Sequence, residues 1–134
     1  MINAKVLQTF VERLSSEEQY DEEEGEWRFQ SGGSCGVCTD SAQKIADAFG
    51  GKVVGYLSES NPLALIGNTY CEGHDFALIM NRFIVDYWAF KVIKVIERPV
   101  LDLSIEADHS QARLLYGDDK KWEDVPAIIR NSLH

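Results

Sequence analysis

The chain has no surplus of basic charge: 22 Asp and Glu residues stand against 13 Lys and Arg, a formal net charge of -9. That balance repels nucleic-acid phosphate and anionic membrane surfaces unless a local basic patch reverses the field, and no basic cluster interrupts the sequence. Long apolar runs are missing too. The N-terminal stretch MINAKVLQTFVERL mixes charges among its apolar residues, so it has neither the core of a signal peptide nor the makings of a membrane span. A soluble cytoplasmic protein is expected, with neither nucleic acid nor membrane as partner. Internal repeats and dividing linkers are also absent, and 134 residues suit one compact domain, expected over 1–134. Cysteine is sparse and odd in number. Cys35, Cys38 and Cys71 cannot form a closed disulfide framework, so at least one thiol is left for chemistry, metal binding or packing.

The residues that are present sort into short amphipathic elements. Val6, Leu7, Phe10, Val11 and Leu14 fall at helical spacing within residues 3–14, with Glu12 and Arg13 on the opposite side. The run DEEEGE at 21–26 concentrates like charge around a glycine and reads as an exposed loop. After the turn-forming Ser31-Gly32-Gly33-Ser34, the residues Cys38, Ala42, Ile45, Ala46 and Phe49 predict a helix over 37–49 that Gly50-Gly51 stops. KVVGYL predicts a strand, and residues 58–69 a loop. HDFALIM and FIVDYWAF predict a β-hairpin turning at Asn81-Arg82. KVIKVIERPVL continues as a strand ending near Pro99. A helix capped by Ser104 or the acidic residues after it then runs to about Tyr116, and WEDVPAIIRNSL forms a short final helix with Pro126 near its first turn.

Chemistry concentrates at Cys38. A helix N-terminus presents unpaired backbone NH groups that favour a thiolate, and the preceding glycines and serines let such groups approach a reacting carbonyl. A thiol also needs a proton acceptor that can later protonate the leaving group, a role that suits histidine near neutral pH. Of the three histidines, His109 lies in a polar helical stretch and His134 is the last residue, whereas His74 opens a strand after a glycine. Twelve positions on, Asp86 returns along the hairpin to orient the imidazole. Cys38, His74 and Asp86 are therefore expected to form a nucleophilic triad.

The stretch GVCTDSAQKIADAFGGKVVGY at 36–56 resembles the transglutaminase-like core, in which a cysteine-bearing helix leads to a strand ending Gly-Tyr. HDFALIMNRFIVDYW at 74–88 is similar to that family's histidine and aspartate strands, and GSCGVC at 33–38 resembles the cysteine motif of papain-like proteases. The likeness covers about residues 30–90. It implies Cys38 as nucleophile, His74 as general base and Asp86 as its partner. The position of the papain-type oxyanion glutamine is Gly32 here, with Gln30 nearby, and Thr39 replaces the aromatic that follows the papain-type cysteine.

Rival uses of the same residues remain open at this level. Cys35, Cys38, Cys71 and His74 spell C-x2-C and C-x2-H, a set of tetrahedral zinc ligands that would make the chain a metal-stabilised binding module. The C-x-x-C alone would suit redox chemistry, although it leaves His74 and Asp86 without a task. Cys35 and Cys71 are otherwise small buried residues. Gln30, Cys35 and Trp88 are candidates for oxyanion or substrate contacts. Tyr87, Trp88 and Phe90 fit a core better than a cleft, Asp40 and Asp75 read as helix-start or surface charges, and Tyr116–Trp122 reads as a helix-ending turn with a packing role. The expected fold class is α+β: a papain-like/transglutaminase-like core with a catalytic helix on an antiparallel sheet and flanking helices. The expected activity is cofactor-independent, thiol-dependent acyl transfer at a peptide or carboxamide bond of a protein, peptide or small amide, with water or an amine as acceptor.

Overall fold

The computed structural model describes residues 1–125. Helix α1 (Ala4–Ser15) starts where the Asn3 side chain accepts a hydrogen bond from the Val6 NH at 2.9 Å, and it buries Leu7, Val11 and Leu14. Val6 stays at the rim, 40% exposed. Next comes a hairpin that the periodicity did not announce: β1 (Glu18–Asp21) pairs antiparallel with β2 (Glu26–Phe29). The middle of the acidic run, 22–25, is its exposed turn, while Asp21 and Glu26 at the ends of the run are half-buried strand residues; the Asp21 carboxylate closes the turn by accepting from the NH groups of Glu23 and Glu24.

Helix α2 (Cys38–Phe49) begins at the expected cysteine, buries Ala42, Ile45 and Ala46, and ends on Gly50 in the left-handed region at φ 67°. Strand β3 (Lys52–Tyr56) follows. The expected loop at 58–69 holds a short 3-10 turn at Ser58–Ser60 and a wide π-type turn at Ile66–Tyr70. Then come β4 (His74–Ile79), β5 (Phe83–Val85), β6 (Val100–Asp102), α3 (Glu106–Tyr116) and β7 (Glu123–Asp124). The main sheet runs β6-β5-β4-β3-β7, with every neighbouring pair antiparallel.

Alternation along β4 builds two cores. Ala77 and Ile79 face the side covered by α1 and α2, while Phe76 and Leu78 face the side where Ala112, Leu115 and Tyr116 of α3 pack. The architecture is α+β, with helices on both faces of an antiparallel sheet. Among the described residues no helix is long and apolar enough to cross a membrane.

Several expectations need correction. The hairpin between β4 and β5 turns one residue early, with Met80 and Asn81 both in the left-handed region at φ 57° and 51°. FIVDYWAF is not one strand to Phe90: β5 stops at Val85, because the Asp86 carboxylate caps the Ala89 NH at 2.9 Å and bends the chain into a π-type turn at Trp88–Val92. KVIKVIERPVL is not a strand ending at Pro99. Pairing begins after that proline, at Val100, while the Pro99 carbonyl accepts from the Asp86 NH at 2.9 Å. Ser104 does not cap α3, since its hydroxyl is bound to Asp102. Of the expected final helix, Glu123–Asp124 is a strand on β3, and residues 126–133 lie outside the described part.

Candidate active site

Cys38 is the first residue of α2, after a turn in which Gly32 and Gly33 hold φ 102° and 92°. The Ser34 NH donates to Asp40 in the first helical turn at 2.8 Å, which locks the turn to the helix and gives Asp40 the helix-start role expected of it. Asp75 is more than a surface charge. Its carboxylate accepts from the Thr39 hydroxyl at 2.7 Å and so ties the second residue of α2 to β4. The residue opposite Asp75 on β3 is Gly55, where a Cβ would fall 1.9 Å from Asp75 Oδ1. Only glycine leaves the carboxylate that path.

His74 opens β4 and is 3% exposed. Gly73 delivers it, with φ 122° and no room for a Cβ against the Tyr56 carbonyl, which would lie 2.6 Å away. His74 Nε2 meets Asp86 Oδ2 at 2.6 Å. Burial by itself would lower the imidazole pKa. The Asp86 charge and hydrogen bond, reinforced by the nearby Cys38 sulfur, outweigh it and raise the pKa to about 10. His74 therefore carries both ring protons at neutral pH, one on Asp86. The other nitrogen, Nδ1, is buried with no partner at ordinary hydrogen-bond geometry, while Cys38 lies close enough to the ring to help hold its proton. A histidine held to a carboxylate by one nitrogen, with a thiol alongside, has the arrangement that proton transfer to and from that thiol requires.

Asp86 is buried just past the end of β5 and accepts three hydrogen bonds: from His74, from the Ala89 NH at 2.9 Å and from the Tyr116 hydroxyl at 2.8 Å. The indole of Trp88 lies with its ring centre 5.1 Å from the His74 ring and donates to the Gly36 carbonyl at 2.9 Å, closing one side of the imidazole against the turn before Cys38. Beside Gly36 opens a cavity of about 390 Å³, walled by Glu18, Glu26, Trp27, Tyr87 and Lys91.

Of the remaining candidates, Gln30 and Cys35 stand apart from this cluster, while Cys71 lies near Cys38. Gln30 is exposed at the end of β2, its NH on the Glu17 carbonyl, with no bond to the triad. Cys35 is buried in the core beneath α1 and α2, and burial with the charge of Glu18 pushes its thiol up to about 11. Such a thiol is inert at neutral pH. Burial and the charge of Cys38 do the same to Cys71, whose thiol donates to the Gly73 carbonyl at 2.7 Å. The four zinc candidates do not converge: among the described residues no group of three or more His, Cys, Asp or Glu side chains is placed to hold a metal ion.

Tyr116 is the site residue that sequence reasoning missed. The turn it opens packs as expected: Asn61 and Trp122 both donate to the Tyr116 carbonyl, at 3.1 and 2.9 Å, and the Gly117 position has no room for a Cβ beside Asn61. The result is a fixed phenol aimed at Asp86. Its only mark in the sequence was an aromatic residue before a helix-ending glycine.

Comparison of the chain with protein-family models, with curated proteins and with solved structures returns no match.

Proposed function

We propose that the protein is a cysteine-dependent acyl-transfer enzyme with a papain-like/transglutaminase-like core, acting on a peptide or carboxamide bond. The observation that carries this reading is the buried 2.6 Å pair of His74 and Asp86, with the other imidazole nitrogen on the ring that borders Cys38. A buried histidine-carboxylate pair is costly to desolvate, and hydrophobic residues would fill the same space with less penalty. Placed next to a thiol at a helix N-terminus, such a pair has a chemical use.

Cys38 attacks the substrate carbonyl as the thiolate paired with the His74 imidazolium. The negative charge that develops on the carbonyl oxygen is met by backbone NH groups at the start of α2, Cys38's own among them. His74 passes its Nδ1 proton to the departing amine, leaving a thioester on Cys38, and then takes a proton from the incoming water or amine as that acceptor attacks the thioester. Asp86 keeps the imidazole oriented and offsets its charge throughout. Water as acceptor makes the protein a peptidase or deamidase, and an amine makes it a transglutaminase.

The test is a screen of peptide and carboxamide substrates for amine or ammonia release. Activity is expected to be abolished by iodoacetamide and by Cys38→Ala, and to survive chelation of metals. Turnover that persists in Cys38→Ala would overturn the assignment.

A further inference from the structure

We propose that Tyr116 is a positioning residue of this site, whose hydroxyl donates to the carboxylate oxygen that holds His74 and thereby limits how tightly Asp86 retains the imidazolium. The proposal rests on the acyl-transfer reading above for its purpose, but its physical content can be measured without a substrate.

Asp86 Oδ2 receives two donors at once, His74 Nε2 at 2.6 Å and the Tyr116 hydroxyl at 2.8 Å, and all three side chains are buried. Two donors on one oxygen share its negative charge, so each weakens the other's hold. An imidazolium held by an unshared carboxylate would be a poor proton donor to a departing amine, because transfer is fastest when the donor's pKa lies near the working pH. The phenol moderates that grip. It also stays a donor, since burial and the Asp86 charge push its own ionisation well above the usual tyrosine range.

The other titratable groups acting on the trio are acids: Cys38 from α2, Tyr56 from β3 and Cys71 from the connection before β4, with Asp75 behind Cys71. Tyr116 therefore counters no nearby cation; it takes its share of charge from the same carboxylate as His74. Its position is built rather than incidental, since Asn61, itself 2% exposed, clamps both the Tyr116 and the Asp118 carbonyls.

The experiment is a titration of the His74 imidazole by NMR in the full chain carrying Cys38→Ser, a background that removes the sulfur's contribution to the raised His74 pKa and brings the midpoint down toward an accessible pH. His74 is distinguished from His109 and His134 by the loss of its signals in His74→Gln. Adding Tyr116→Phe is expected to move the midpoint up by roughly half to one pH unit. A fluorinated tyrosine at position 116 keeps the ring in place, donates more strongly and is expected to move the midpoint down. A merely structural role would shift neither midpoint in these opposite senses. If both variants titrate with the Cys38→Ser parent, or shift the same way, the proposal is overturned. If the shifts appear while Cys38→Ala retains amide turnover in the unmodified background, the positioning role stands and the acyl-transfer reading falls.

Discussion

His74 keeps its second proton into alkaline solution because the Asp86 charge and hydrogen bond, with Cys38 beside the ring, outweigh the burial that opposes ionisation. The folded pKa of about 10 lies above the value of about 6.5 expected of an unfolded histidine, so the folded state binds the extra proton between those limits. Stability from this group is complete below about pH 6.5 and declines as pH rises toward 10. Denaturant unfolding at pH 6.5 and 9.5 should show a loss on the order of 2 kcal/mol in the wild type, and a smaller loss in His74→Gln. Asp86→Asn removes the charge that offsets burial, so the imidazole becomes neutral. Iodoacetamide alkylation of Cys38 at pH 7 should slow at least about tenfold, as read by adduct mass against time. Equal alkylation rates in Asp86→Asn and wild type would show that the carboxylate does not govern the pair.

The elements around the site bring distant residues together by close backbone approach. Gly73 is the clearest case, with φ 122° and the Tyr56 carbonyl 2.6 Å from where a Cβ would sit. Gly73→Ala must displace the start of β4 and should cost about 2 kcal/mol or more of stability, with His74 moved from Asp86. Gly25 in the hairpin turn, at φ 68° with nothing within 4 Å of a Cβ, is the control: Gly25→Ala should cost about 1 kcal/mol and leave the site unaffected. Thermal melts of both variants measure the difference. The sequence disclosed elements where one face is buried at a regular interval. Leu7, Val11 and Leu14 mark α1, and Ala42, Ile45 and Ala46 mark α2. It did not disclose β1 and β2, of which only Phe29 is buried and whose acidic turn carries no apolar alternation to read. Nor did it disclose the end of β5. Val85, Tyr87 and Ala89 continue an apolar rhythm, and the chain leaves the sheet because one side chain, Asp86, caps the Ala89 NH.

Across the whole molecule, the site forms at one end of the sheet where α2 begins, β4 begins, the chain leaves β5 and α3 finishes. The first three of these lie within 50 residues of one another, so local patterns were enough to place Cys38 and Asp86 near His74. Tyr116 arrives from α3, on the sheet face opposite α2, 30 positions beyond Asp86, and no local pattern encodes that contact. Burial raises the thiols of the two other cysteines to about 11, helped at the half-buried Cys71 by the charge of Cys38 beside it. That contrast gives the most direct test. The protein is mixed at pH 7 with p-nitrophenyl acetate, an activated ester that needs no specificity pocket, and the acyl adduct is located by peptide mass spectrometry. One acetyl group on Cys38 is predicted, absent in Cys38→Ala and formed about a hundredfold more slowly in His74→Ala. Acetylation spread over Cys35 and Cys71, or a Cys38 rate unchanged by His74→Ala, would contradict the triad.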